Sequence, residues 1–328
     1  MEGAPLRAAL RALQAGPVLI LALLALVMTF ASPYFFTRAN LTNLGFQTSI
    51  VAVLALGQLV VILTRGVDLS VGAVVALSGV LGAIAAGLGG VAALTVMLAT
   101  GAAVGLLNGG ILVGGRVLNP FIVTLGTLSI VRGLALVISD AQTETGMPGL
   151  IASTGTSLVG PVPLPALLVA VLAITAWLLL ARTQWGRWIY AVGGNPEGAR
   201  KVGIPVDRVL LSAYLLCGLA AAVAGVLVAG RTDAGSPTAG QLLELDAITA
   251  VIIGGASFFG GRGSVIGVIA GALIIGVIRN GLNLLDVTPF WQQVAIGTLV
   301  IASLELDVLR GYLERRLRAG QAVAEAAA

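Results

Sequence analysis

Residues able to do covalent or acid–base chemistry are scarce in this chain. Lys201 is the only lysine, Cys217 the only cysteine, and histidine is absent altogether. Histidine-based metal sites and imidazole acid–base catalysis are thereby excluded, and a lone cysteine in an apolar run forms no intrachain disulfide. No Gly-rich loop of the P-loop pattern precedes Lys201, so the chain has no Walker-type ATP site of its own. The string Gly261-Arg-Gly263-Ser-Val-Ile-Gly267 grazes a dinucleotide fingerprint. No strand is predicted before it, and Asp286, at about the right distance, falls at a membrane boundary, so the glycines read as helix packing instead. Asp68, in Asp-Leu-Ser-Val, reads as a helix N-cap. Glu244 and Asp246 read as first-turn acids, and Glu305 and Asp307 close the last apolar window. A proton-driven carrier needs an acid facing its pathway, and none of these is compelling in that role. The remaining polar groups inside apolar windows are uncharged: Gln58, Asn108, Thr124, Thr127, Asn280 and Asn283, with Gln292 and Gln293. Taken singly, each reads as hydrogen-bonding glue between helices. Taken together, amides and hydroxyls without charge suit the path of a neutral, hydroxylated solute, and the first six are the candidate lining.

The elements that must position these groups are membrane helices. Of 328 residues, 58% are hydrophobic and only 10% charged, and the mean hydropathy is +1.05. A soluble domain carries about 25% charged residues, so this is an all-α integral membrane protein. Apolar windows of spanning length fall at about 17–36, 46–64, 69–88, 91–113, 121–139, 164–181, 208–230, 246–259, 264–285 and 289–306. The eighth is short and interrupted by Gly254, Gly255, Gly260 and Gly261, so the count is about ten, with a range of eight to ten. Arg7 and Arg11 followed by an apolar run mimic a secretory signal, but the run reads as a retained first span. With a cytoplasmic N-terminus and one crossing per window, fourteen of the 18 basic residues fall inside, among them Arg65, Arg116, Arg182, Arg200, Arg262 and Arg316. Arg38, Arg231 and Arg279 fall outside, and Arg132 lies within a window. This satisfies the positive-inside rule with both termini cytoplasmic, and accounts for the +4 net charge through topology rather than nucleic-acid binding. Residues 140–163, rich in Gly and Pro and without a basic residue, read as an irregular external loop.

The chain reads as one transmembrane unit: a first half at about 17–181, a polar interruption at 182–208, a second half at about 208–306, and a cytoplasmic tail at 307–328. Halves of five windows each would insert with inverted topology if duplicated. Forty-five glycines include Gly101/Gly105/Gly109 and Gly263/Gly267/Gly271, spaced to strip one helix face and let backbones approach.

The polar interruption contains a short, fully punctuated helix. Asn195 suits the N-cap and Pro196 the first turn. Glu197 lies at the positive end of the helix dipole, and Arg200 and Lys201 near the negative end. Gly203 can adopt the left-handed conformation that closes a helix, and Pro205 prevents it from resuming. A helix over 196–202 would be roughly 10 Å long, far too short to span a bilayer. It is either a docking element or a solvated connector.

Five stretches resemble one family over nearly the whole chain: TRGVDLSVGAVVALSG, NPFIVTLGTLSIVRGLAL, YAVGGNPEGARKVGIPVDR, ELDAITAVIIGGASFFGGRGSVIG and NGLNLLDVTPFWQQVAIG. They are similar to signatures of the permease subunits of bacterial binding-protein-dependent ABC importers of the ribose/xylose/galactose type. Gly198 departs from the pattern, which usually has alanine there. The resemblance implies an inner-membrane homodimer, two ATP-binding subunits that carry ATP and Mg, and a periplasmic sugar-binding protein. It also implies that Asn195, Pro196, Glu197, Ala199, Arg200, Gly203 and Ile204 form the helix coupled to the ATPase. The chain itself would be a transport subunit without cofactor or catalytic residues. The competing readings are a proton-coupled carrier, a channel and a membrane enzyme. Within the family the solute could equally be a polyol, a nucleoside or a furanosyl signal.

Overall fold

The computed structural model describes residues 3–115 and 119–326. Arg116, placed above on the cytoplasmic side, lies outside the described residues; of residues 3–15, 306, 310 and 313–326 only the backbone is described. In chain order the helices are α1 (Gly3–Ala31), α2 (Arg38–Leu63), α3 (Val71–Ile84, extended by a 3-10 turn to Leu88), α4 (Gly90–Gly114), α5 (Pro120–Ile138), α6 (Gly149–Thr156), α7 (Leu164–Arg182), α8 (Gln184–Gly194), α9 (Pro196–Lys201), α10 (Val206–Thr232), α11 (Leu243–Ile253), α12 (Val265–Leu284) and α13 (Pro289–Ala326). Among the described residues eight helices are long and apolar enough to cross a membrane: α2, α3 with its extension, α4, α5, α7, α10, α12 and α13 up to Leu309. The apolar part of α1, Gly16–Ala31, is shorter.

The bundle is built around α2. Its residues 51–63 are buried on every side, which an all-apolar helix requires. Around it pack α10, α12, α11 and α7, while α3 and α4 pack on α10. The glycine faces do what their spacing demands. A Cβ on Gly101 or Gly105 would overlap the α10 backbone at Gly218 or Tyr214, so α4 and α10 touch main chain to main chain. Likewise a Cβ on Gly267 or Gly271 would overlap the carbonyl of Gly254 or Ala250, so this face of α12 meets α11 and not lipid.

Two expectations need correction. The eighth window, 246–259, is not a spanning helix: α11 has 11 residues, roughly 16 Å at 1.5 Å each, about half a bilayer core. Helix ends at Gly254 because Gly255 turns left-handed (φ 89°) and the glycines at 260 and 261 follow suit. Second, Asp68 does not cap α3; Ser70 occupies that position, and Asp68 instead accepts from Ser70 N (2.9 Å) and Ser70 Oγ (2.6 Å) in the preceding turn. Arg279, counted above on the external side, sits within α12, five positions before its end at Leu284.

The loop between α5 and α7 is more ordered than its composition suggested. It carries α6 and two small antiparallel ladders: β1 (Glu144–Thr145) pairs with β4 (Ala234–Gly235), and β2 (Leu158–Val159) with β3 (Val162–Pro163). Gly155 lies so close to α10 that a Cβ would overlap Arg231 N, which seats α6 on the end of that helix.

Candidate coupling and translocation sites

The punctuated helix forms as its residue order requires. Asn195 Oδ1 accepts from Gly198 N at 3.0 Å, and Pro196 opens α9. At the far end Gly203 has φ 82°. Ile204 N donates to Ala199 O (3.0 Å) and Gly203 N to Arg200 O (3.1 Å), the paired bonds of a Schellman closure. Ala199 is buried, whereas Glu197, Arg200, Lys201, Val202 and Gly203 are exposed, so α9 projects a knob seated on one small residue. Ile204 is half-buried behind it. The Arg200–Asp207 pair (2.7 Å) is solvent-exposed at both ends and adds little stability. Gly198 has its own local reason: a Cβ there would sit 3.0 Å from the Asn195 amide that caps the helix.

Helix α8, amphipathic and capped by Thr183 (Gly186 N to Oγ1, 3.1 Å), fixes α9 to the bundle. Trp185 Nε1 donates to Ser212 Oγ (2.8 Å) on α10, and Tyr190 OH to Gly263 O (3.0 Å). Arg65, just past α2, donates from Nε to Gly193 O (2.6 Å) and from Nη2 to Gly194 O (2.5 Å). Gly261 N donates to Leu63 O at 3.0 Å. Side chains at Gly193 or Gly260 would overlap Leu63 O or Arg65. The end of α2, the α8–α9 corner and the α11–α12 loop therefore meet at one bare-backbone junction beside α9. Arg65 was legible in the sequence only as a topological charge.

The six candidate lining residues do not converge on one surface. Three gather around the turn that follows Arg65. Asn108 Nδ2 donates to Ser70 Oγ (3.0 Å) and approaches both Asp68 carboxylate oxygens (3.3 and 3.4 Å). The Gln58 amide, oriented by its neighbours, accepts from Asp68 N (3.1 Å) and donates to Asp68 O (3.3 Å). Thr124 Oγ1 donates to Val67 O (3.2 Å). All three side chains are fully buried. Thr127 bonds its own helix at Val123 O. Asn280 and Asn40 exchange two bonds between α12 and α2 (2.7 and 3.0 Å), and exposed Asn283 accepts from Gln292 Nε2 (2.7 Å).

A different polar cluster surrounds the start of α11, and its members were visible only as scattered charges. Arg132 on α5 donates from Nη1 to Pro237 O (2.9 Å) and Ala239 O (2.7 Å). Arg279 on α12 donates from Nη2 to Asp246 Oδ2 (2.6 Å). Glu244 lies within electrostatic reach of Arg132. Both acids are on α11. No group of three or more His, Cys, Asp or Glu that could hold a metal occurs among the described residues.

A bundle of glycine-packed helices, eight of them long and apolar enough to cross a membrane among the described residues, is the architecture of a multi-pass membrane protein. The chain belongs to the family of the branched-chain amino acid transport system / permease component, whose model matches residues 40–304. It is 40% identical over 296 residues to the ribose import permease protein RbsC of Escherichia coli K12, covering 88% of this chain and 92% of that protein. It is 41% identical over 306 residues to the D-allose transport system permease protein AlsC of the same strain, covering 90% and 91%. Against the galactose/methyl galactoside import permease protein MglC it is 35% identical over 314 residues, covering 89% and 93%. No solved structure matches. The chain is thus a permease subunit of a sugar-import family and not an enzyme.

Proposed function

We propose that the chain is the membrane-spanning subunit of an ATP-driven importer that moves a monosaccharide, handed over by a periplasmic binding protein, into the cytoplasm. Two copies would form the translocator, each docking an ATP-binding subunit through Asn195, Pro196, Glu197, Ala199, Arg200, Gly203 and Ile204. ATP and Mg belong to that partner. The observation that carries this reading is the exposed, doubly capped α9, held through α8 and Arg65 to the ends of α2, α11 and α12. A solvated connector has no need of a three-way backbone junction. The basic residues favour a cytoplasmic location for α9 and both termini. The sugar is supported by the relatives, which are permeases for ribose, D-allose and galactose or methyl galactoside.

The test is reconstitution in vesicles with an ATP-binding subunit and a sugar-binding protein from the same genome. Uptake of labelled D-ribose, D-allose or D-galactose should require ATP, and ATP hydrolysis should rise with loaded binding protein. ATP-independent equilibration of sugar by the chain alone would replace the importer with a channel or carrier. Uptake of only a polyol or nucleoside would keep the mechanism and change the solute.

A further inference from the structure

Between β4 and the α11–α12 loop the chain crosses the bundle without a continuous helix. Gly235 packs on α3 at Gly79, and Gly240 packs on α3 at Gly72, each so tightly that a Cβ would overlap backbone. Residues 236–242 therefore descend along α3 as irregular chain before α11 begins. The bend turns left-handed at Gly240 (φ 70°), and it is strained at Leu242, the N-cap position of α11, which has φ 67°. A left-handed leucine persists only where its surroundings hold it, and such outliers cluster at functional sites. Irregular backbone at membrane depth is tolerated where it is enclosed by protein or lines a water-filled cavity.

Four charges surround this bend. Arg132 stands six positions before the end of α5 and Arg279 five before the end of α12, each roughly 8–9 Å inside an apolar helix. Both helices begin beside the α9 junction: Thr124 of α5 reaches Val67, and Ser264 caps α12 just after Gly261–Gly263. Their charged ends therefore lie on the opposite side of the bundle from α9. Arg279 keeps 33% of its side chain exposed, a costly arrangement against lipid. Glu244 Oε2, Asp246 Oδ1 and Arg279 Nε are enclosed yet have no hydrogen-bond partner. Glu244 reaches its place only because Gly72 lacks a side chain; a Cβ there would overlap Oε2. Charged donors and acceptors left unsatisfied are costly, so they signal an arrangement that is completed by something else.

We propose that Arg132, Glu244, Asp246 and Arg279 form a solute-contact site in the half of the translocation route remote from α9, closed in this conformation by the bend at 236–242. The cluster sums to zero charge, which suits a neutral polyhydroxy solute. Neighbouring solute hydroxyls donate to the free carboxylate oxygens and accept from the guanidinium N–H groups, the charge-assisted bonds that are strongest out of water. This inference rests on the sugar-importer reading above.

The test uses the reconstituted complex with its binding protein. Glu244→Gln and Arg132→Lys should each lower D-ribose or D-allose uptake about tenfold, while hydrolysis stimulated by loaded binding protein stays within about twofold, so sugar moved per ATP falls. A purely structural role would lower uptake and hydrolysis together, and that outcome overturns the proposal. As a second measurement that leaves all four charges in place, Gln241→Cys in a Cys217→Ser background should react with a charged, membrane-impermeant thiol reagent in at least one nucleotide-trapped state, and loaded binding protein should slow that reaction. Gln241→Cys unreactive in every state also overturns it. Wild-type complex that moves no sugar would instead sink the importer reading, so the two failures are separable.

Discussion

Gly203→Val isolates the shape of α9 from everything else in the molecule. A side chain at Gly203 would meet nothing within 4 Å, so no packing is disturbed. The backbone at φ 82° is the sole obstacle. Placing an L-residue in the left-handed region costs about 1–2 kcal/mol, and a β-branched residue lies at or beyond the upper end. At about 2 kcal/mol the closed form of the helix end, with both Ile204 N to Ala199 O and Gly203 N to Arg200 O, falls roughly 30-fold in relative population. Because Gly203 is exposed and a side chain there touches nothing, membrane insertion and thermal stability should hardly change. ATP-coupled sugar uptake should fall by about one order of magnitude or more, and hydrolysis should lose its dependence on loaded binding protein. Gly203→Asn, which tolerates the left-handed region, should retain most of the activity. Glu197→Ala should be mild, since an exposed dipole interaction contributes only about 0.3–1 kcal/mol. The assay is uptake alongside ATPase in vesicles at matched protein levels. Full coupled transport by Gly203→Val would refute the argument that the rigid end of α9 transmits force.

Gly267→Leu should sharply reduce folded protein in detergent, because even the first added carbon overlaps Gly254 O; the half-buried Leu273→Ala should lower the melting temperature less, and equal stability would contradict the α11–α12 packing. Asn280→Ala leaves Asn40 Oδ1 without its donor, while Asn40 Nδ2 keeps its bond to Phe35 O (2.8 Å), and should destabilise by about 1–3 kcal/mol in a thermal melt; an unchanged melt would contradict the α2–α12 pairing. Cysteines at Ser157 and Val202, one at a time in a Cys217→Ser background, should be labelled by an impermeant reagent on intact cells at 157 and not at 202; the reverse pattern would invert the assigned orientation.

The local grammar of α9 was fully legible, since Asn195, Pro196, Glu197 and Gly203 act through backbone chemistry that depends on near neighbours in sequence. The Gly101/Gly105/Gly109 and Gly263/Gly267/Gly271 faces were legible for the same reason, as periodicity. The partners of those faces were not: nothing in spacing says that Gly267 meets Gly254. Long-range pairs were hidden throughout. Asn280 reads alike whether it lines a path or binds Asn40, 240 positions away. The α11 region misled because apolar content was counted through Gly254 and Gly255, where the helix has already ended. Glu244 and Asp246 were read as first-turn acids and Arg279 as an external charge, and a clue was present in Arg132, since an arginine inside an apolar window asks for an acid and the eighth window begins with two.

The brevity of α11 also bears on how the chain is made. Eleven residues with Glu244 and Asp246 at one end are too short to span, and an acid near mid-membrane carries an insertion penalty of about 2.5–3.5 kcal/mol. Helix α11 therefore cannot leave the insertion machinery for lipid as an independent unit when it emerges. Pairing of Asp246 with Arg279 on α12 offsets that penalty, so insertion of α11 and α12 together as a hairpin is the expected route. The groove on α3 at Gly72 and Gly79 is ready earlier, and it can receive the irregular residues 235–242 only once that hairpin is in place. A hairpin translated after α3 is thus required to complete a crossing begun before it, and truncation after α11 should reduce the yield of folded protein more than truncation after Leu309.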